Sequence, residues 1–230
     1  MRGELGLDDH FPVDNPLHWE RMRRIISACV LACEFSGTYR LATGKSPINY
    51  QAQPLMRVSD LSAMSSAMGR TSGETRASTV AAFSFDDSGS PMETALALLL
   101  TLPVDYGGFG LPKPVLNPPV NVTAYRGSLS DRDVVKPDML WGDAGVVVEY
   151  DSMEFHGRLG KAQLAEDAIR SNILTSLGYR CLRVTPQVVA SVDRTALLAS
   201  QIAHLLGVGL QVPNELQMLR RKRLFLELMR

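Results

Sequence analysis

The chain has 230 residues, of which 45% are hydrophobic and 21% charged, and its 24 basic and 24 acidic side chains give a formal net charge of zero. These values are typical of a globular protein with one large domain or two small ones. Zero net charge argues against attraction of the whole molecule to nucleic acid or to an acidic membrane, and leaves room only for a local basic patch.

The N-terminal region, residues 1–88, has the sequence pattern of helices. Apolar periodicity predicts one helix over residues 16–44 and one or two over residues 58–84, where glycines interrupt the pattern. Cys29 and Cys33 share one apolar helical face, and the three cysteines of the chain are too few for a disulfide framework. We expect both to be reduced and buried. The apolar run is too short to cross a bilayer and no export signal precedes it, which makes the cytoplasm the expected location.

The sequence pattern changes after residue 88, from helices alone to a mixture of helices and strands. Within residues 89–208 we expect a helix, three strands, a helix and a strand, an α/β order, and residues 209–230 should form a C-terminal basic helix. Ser90 is the expected N-cap of the first helix, and Glu93 the second member of a capping box. The three strands are predicted over the segments VNVTAY, DVVKPDMLW and GVVVEYD.

The remaining elements follow from local signals. The segment KAQLAEDAIRSNILTSLG predicts a helix with Gly178 as its C-cap, YRCLRVT predicts a strand, and residues 192–206 predict an amphipathic helix. The last helix carries the run RRKR from Arg220 to Arg223, which is either a solvated helix face or a binding patch.

Three acidic residues are brought together by the predicted hairpin. Asp138 follows Pro137 on one strand, while Glu149 and Asp151 lie two residues apart at the end of the next and so point to the same side of the sheet. Like charges this close repel unless a hydrogen-bond network or a cation offsets the cost. A divalent-metal site is therefore the first hypothesis for these carboxylates.

These segments also resemble a known family. KPDMLW, VVVEYDSMEFHG and GYRCLRVT, with Asp167 and Arg170 between them, are similar to very-short-patch-repair-endonuclease-like domains of the PD-(D/E)XK nuclease superfamily over about residues 90–206. The resemblance implies a restriction-endonuclease-like core, hydrolysis of DNA phosphodiester bonds, and Mg²⁺ or Mn²⁺ held by Asp138 and Glu149. Residues 21–117 are also similar to actinobacterial proteins that carry this nuclease-like domain at their C-terminal end, a likeness that implies no activity.

The resemblance also assigns candidate roles at positions that depart from the family pattern. Asp151 stands where many nucleases of the superfamily have a lysine, and an aspartate can bind a second cation or position water but cannot stabilise negative charge. His156 is either a general acid or base or a plain loop histidine. Relatives have a glycine after the aspartate and a histidine three positions later, whereas here Ser152 follows Asp151 and His156 comes five residues after it. Lys161, at the start of the next helix, is the alternative source of an ammonium group.

Further residues have two interpretations each. Glu93 is either a capping-box residue or an additional metal ligand from the first helix. Asp167 and Arg170 form either an ordinary helical ion pair or, with Gln163, a polar stripe that supports the metal ligands or contacts phosphate. Trp141 either packs the hairpin or stacks on a nucleobase.

Two functions remain from the sequence. The first is a metal-dependent endonuclease acting on DNA. The second is a catalytically inactive protein of the nuclease fold that binds DNA or a protein in a regulatory or defence role, which the absent lysine and the neutral charge favour. The expected partner is DNA, and no membrane contact is expected. The N-terminal helices could also bind a second copy of the chain or another protein.

Overall fold

The computed structural model describes residues 14–41, 47–68, 72–127, 133–151 and 161–229, without the side chains of residues 72 and 161–167. Within these ranges the chain forms a mixed α/β structure with seven α-helices. The helices are α1 (Pro16–Ser36), α2 (Val58–Ala67), α3 (Ser72–Phe83), α4 (Pro91–Thr101), α5 (Lys161–Ser176), α6 (Val192–Leu206) and α7 (Glu215–Leu228). The strands are β1 (Val115–Leu116), β2 (Val120–Asn121), β3 (Val134–Val135), β4 (Met139–Trp141), β5 (Val146–Tyr150) and β6 (Arg180–Val184).

Helix α1 is shorter than the sequence predicts. It begins at Pro16 behind the N-cap Asn15, whose side chain accepts a hydrogen bond from the backbone of Leu17, and it ends at Ser36 rather than near residue 44. The reason lies at Gly37, where a Cβ atom would be 2.6 Å from the carbonyl oxygens of Cys33 and Ser88. The chain therefore leaves the helix at a glycine that allows the next segment to approach closely.

The main sheet has four strands in the order β1-β4-β5-β6. Strands β4 and β5 form an antiparallel hairpin, and β5 pairs in parallel with β6 after the crossover through α5. Helix α5 ends as predicted at Gly178, whose φ of 90° is readily adopted only by glycine. The predicted helix over residues 192–206 is also confirmed.

The prediction for the first strand was wrong. Only Val120–Asn121 of VNVTAY is extended, and it pairs with β3 in a separate two-stranded sheet, while the edge of the main sheet is β1. The predicted strand DVVKPDMLW is divided between β3 and β4 at Pro137, which has no backbone N–H to donate to a strand neighbour.

One hydrophobic cluster joins the helical N-terminal region to the sheet. Helix α4 is buried on all sides from Ala95 to Leu100, and its neighbours in the cluster include Ile26 of α1, Val148 of β5 and Leu224 of α7. The residues before and after position 88 therefore share this cluster, and a second cluster in the described part of the chain contains Val147, Ile173 and Leu174. Cys29 and Cys33 lie in this cluster as free thiols, as predicted.

The basic run on α7 differs from both sequence-based interpretations, because two of its arginines are buried. Arg220 donates two hydrogen bonds to the carboxylate of Asp14, at 2.9 and 3.2 Å. Arg221 donates to the carbonyl oxygens of Gly107 and Gly108 and stacks over the ring of Phe109 at 4.1 Å. Only part of the run is therefore available to solvent. None of the helices in the described ranges has the length and apolar character needed to cross a membrane.

Candidate active site, a buried carboxylate cluster

Three acidic side chains from different elements meet beside the β4–β5 hairpin, and we call Glu93, Asp138 and Glu149 the carboxylate cluster. The antiparallel register pairs Met139 with Val148, so one step further along the strands Asp138 lies opposite Glu149. Residues directly opposite in antiparallel strands have their Cβ atoms about 5 Å apart on the same face. The hairpin therefore places two carboxylates side by side, as the sequence predicts.

Asp138 is held by the backbone of the neighbouring strand, because its Oδ2 accepts a hydrogen bond from the N–H of Tyr150 at 2.6 Å. Its pKa is raised well above the usual aspartate range, first by the loss of solvation and then by the negative charges of Glu93 and Glu149. The ionised form of Asp138 is thus unfavourable in this environment without an additional positive charge.

Glu93 enters the cluster from the first turn of α4. Ser90 is the N-cap, as predicted, and its hydroxyl accepts a hydrogen bond from the backbone N–H of Glu93. The glutamate carboxylate, however, accepts from the N–H of Gly89 at 2.8 Å and from Asn117 at 2.6 Å, so the predicted reciprocal bond to the Ser90 N–H is replaced. Burial raises the pKa of Glu93 even though these hydrogen bonds and the charge of Arg170 act to lower it.

Asn117 is a site residue that sequence reasoning missed. Its backbone is left-handed, with φ at 47°, and its side chain donates to the Glu93 carboxylate and to the carbonyl oxygen of Asp87. Its backbone N–H donates to the carbonyl oxygen of Asp138 at 3.1 Å, so one residue connects α4 to the start of β4. An asparagine directly before two prolines was the available signal, since asparagine tolerates this backbone conformation better than most residues.

Arg170 of α5 supplies positive charge to the cluster. Its guanidinium donates a short hydrogen bond to Glu149, whose side chain is 9% exposed while that of Arg170 is 34% exposed. The same charge acts to lower the pKa of both Asp138 and Glu93. Arg170 therefore offsets part of the repulsion among the buried Glu93 and Glu149 and the half-buried Asp138.

Asp151 lies just beyond β5 and forms a second ion pair. Its backbone N–H donates to the carbonyl oxygen of Val184, and its carboxylate is 3.5 Å from the guanidinium of Arg183 on β6. The positive charge beside this end of β5 thus comes from Arg170 and Arg183 on neighbouring elements.

The remaining predicted site residues are Trp141, His156, Lys161, Gln163 and Asp167. Trp141 is buried, and its indole N–H donates to the carbonyl oxygen of Pro112 at 2.8 Å. This geometry favours packing of the hairpin over stacking on a nucleobase, which needs an accessible ring face. His156 lies outside the described residues, as do the side chains of Lys161, Gln163 and Asp167.

The chemistry of the carboxylate cluster suits a hard divalent cation. Over the described ranges, no group of three or more histidine, cysteine, aspartate or glutamate side chains is arranged to hold a metal ion. Magnesium, however, commonly takes only one or two protein carboxylates and keeps several waters. Asp138 and Glu149, which lie opposite each other across β4 and β5, could supply the carboxylates of that smaller ligand set.

The fold and the site together define a mixed α/β protein with a largely buried carboxylate cluster beside the β4–β5 hairpin of a four-stranded sheet. No family model, no curated protein and no solved structure matches the chain.

Proposed function

We propose that the chain is a metal-dependent endonuclease-like protein that hydrolyses DNA phosphodiester bonds, and that its core is restriction-endonuclease-like. The observation that carries the proposal is the position of Asp138 opposite Glu149 across β4 and β5, with Glu93 of α4 close enough to raise the pKa of Asp138. The order of α4, α5 and the four strands of the main sheet along the chain supports it, because the resemblance implies a helix, three strands, a helix and a strand. Strands β2 and β3 lie between β1 and β4 in the chain and form the separate small sheet.

The charge balance of the cluster supports a cation at this position. With all three carboxylates ionised, Arg170 neutralises only one of the negative charges. Burial raises the pKa of Asp138 and of Glu93, and repulsion by the charges of Glu93 and Glu149 raises that of Asp138 further. Protons or a divalent cation can relieve this repulsion, and a cation favours the ionised carboxylates. Asp138 and Glu149 are the proposed Mg²⁺ or Mn²⁺ ligands.

In this proposal each residue has a stated role. A bound divalent cation supplies Lewis acidity toward a phosphodiester and lowers the pKa of water. Asp138 and Glu149 would bind it, and Asn117 fixes the carboxylate of Glu93 beside them. Arg170, which is partly exposed, can contact a phosphate oxygen. Asp151 would hold a second cation or position water, and His156 or Lys161 would transfer the proton or supply positive charge, as the sequence suggests.

Plasmid nicking with Mg²⁺, with Mn²⁺ and with a chelator tests this function. We expect nicking by the wild type only with a divalent cation, and loss of nicking in Asp138→Ala and in Glu149→Ala. Asp133→Ala is the matched control, because Asp133 pairs with Arg126 at the surface. Cleavage that persists in Asp138→Ala would show that these carboxylates do not perform the reaction.

The alternative function, a nuclease-fold protein that binds without cleaving, is favoured by a different observation. Arg170 pairs with Glu149 and Arg183 pairs with Asp151, so two of the acidic residues already have positive neighbours. Fluorescence anisotropy with labelled duplex DNA separates the two functions. Binding without cleavage that is unchanged in Asp138→Ala would establish the alternative and exclude the metal-dependent reaction.

A further inference from the structure

We infer that the cleft between α1, α2 and α3 binds an anionic amphiphile, specifically a free linear acyl chain with a carboxylate head group. The cleft has a volume of about 980 Å³, near the upper end of the range for small-molecule sites of roughly 300–1,000 Å³. It lies on the helical side of the molecule and contains none of the residues of the carboxylate cluster.

The wall of the cleft is mainly apolar. Along α1 the lining side chains recur every three or four residues, which places them on one helix face. They are Ile25, Ala28, Leu31, Ala32 and Phe35, and Met56, Leu61 and Val80 face them from the other segments. Leu31 is 51% exposed and Phe35 is 42% exposed, so a continuous apolar surface remains accessible to a ligand.

The cleft is basic at one end. Helices α1 and α3 run in the same direction, because Cys29 contacts the carbonyl oxygen of Val80 and Cys33 accepts a hydrogen bond from the backbone of Phe85 further along both segments. Arg76, one turn before Val80, therefore lies level with the turn of α1 that precedes Cys29. Two arginines from the first turns of α1, Arg21 and Arg24, line the same end.

The opposite end is apolar. The backbone N–H of Leu55 donates to the carbonyl oxygen of Phe35 at 2.7 Å, which places Met56 beside the last turn of α1. From Arg21 to Phe35 the helix advances about 21 Å, at 1.5 Å per residue. A cleft of this length, cationic at one end and apolar at the other, matches an extended acyl chain with a single acidic head group.

The distribution of charged residues favours an acyl chain with a carboxylate head group over a second copy of the chain or an acidic helix. Arg21 and Arg76 form no ion pair with any residue that the structure describes, and Arg24 contacts Glu20 at 3.6 Å only through an exposed pair. In a symmetric dimer in which the two clefts face each other, a second copy would bring the same arginines together. A partner helix with acidic residues along its length would find cations at one end of the cleft only.

Isothermal titration of the full chain with monomeric dodecanoate tests the inference. We expect saturable binding of one ligand per chain, weakened about tenfold or more in the double variant Arg21→Glu, Arg76→Glu, which reverses charge at the basic end. Arg126→Glu, a charge reversal at an exposed arginine away from the cleft, is the matched control and should bind like the wild type. Absence of saturable binding by the wild type would overturn the inference.

The apolar end is tested separately. Leu31→Gln should weaken binding of dodecanoate several-fold, while Leu197→Gln, at a 68% exposed leucine of α6, should not. Both sites are exposed enough that circular dichroism should show the wild-type fold. Equal binding of dodecanol or dodecyltrimethylammonium would contradict the role of the arginines, and binding seen only with vesicles of anionic phospholipid would replace the free ligand with a membrane surface.

Discussion

Replacing Arg170 with methionine would test whether the carboxylate cluster needs a cation. Arg170 donates to Glu149, which is almost fully buried and lies opposite Asp138. Breaking a buried ion pair by removing one partner costs roughly 3–5 kcal/mol, since the other charge stays behind. Because Arg170 itself is 34% exposed, we expect the lower end of that range, about 3 kcal/mol.

Companion variants show whether this loss of stability comes from the unpaired charge of Glu149. For a chain of this length, about 3 kcal/mol corresponds to a fall in Tm of roughly 6–12 °C. The double variant Arg170→Met, Glu149→Gln removes both charges and should unfold within about 1 kcal/mol of the wild type. If the cluster binds Mg²⁺, the ion at about 100 times its Kd should restore about 2.7 kcal/mol to the single variant.

Urea unfolding and thermal scans near neutral pH, with Mg²⁺ or with a chelator, measure these differences. Arg126→Met is the control, because its pair with Asp133 has side chains 65% and 46% exposed and should contribute less than about 1 kcal/mol. The reasoning is refuted if the double variant is as unstable as the single one. A single variant that Mg²⁺ leaves unchanged would show that the cluster does not bind the ion.

Three further predictions concern the described ionisable groups. Asp138→Asn should stabilise the metal-free protein increasingly as pH rises above the ordinary aspartate pKa of 3.8, because the pKa of Asp138 is raised in the folded protein. The stabilising contribution of the protonated carboxyl group is present at low pH and is lost as pH rises through the folded-state pKa. Asp14→Ala should cost about 3–5 kcal/mol in urea unfolding, because Arg220 would remain buried without its carboxylate. Burial raises the pKa of Cys29 to about 12, so iodoacetamide should label half-buried Cys181 first, as measured by mass spectrometry of the native protein.

Each of these predictions has a contrary outcome. A gain from Asp138→Asn that does not change with pH would mean that the pKa of the carboxyl group is not raised by folding. Asp14→Ala should cost much more than Asp133→Ala at the surface, and equal losses would exclude the role of burial. Labelling of Cys29 before Cys181 would require that α1 opens in the native protein.

The sequence predicted those features that depend on neighbouring residues. The cap of α4 at Ser90 and the end of α5 at Gly178 are set by the local backbone, and the convergence of Asp138 with Glu149 depends only on a short hairpin. The strand β1 was missed because Val115–Leu116 is a two-residue segment of a loop rich in glycine and proline, and only pairing with β4 makes it a strand.

Long-range contacts explain the other differences. Asn117 acts on Glu93 and Asp138 through contacts that no local pattern predicts. The inward orientation of Arg220 depends on Asp14, which lies 206 residues earlier in the chain. A basic run therefore predicts solvent exposure only when no distant acidic residue is available to pair with it.

The ion pair between Asp14 and Arg220 also affects the order of events during synthesis. Helix α7 follows every other described element, so Asp14, just before α1, can pair with Arg220 only after this late segment has been synthesised. Until then the apolar side of α4 that α7 covers stays accessible to chaperones. The hydrophobic core is therefore buried completely only after the last described helix has been synthesised.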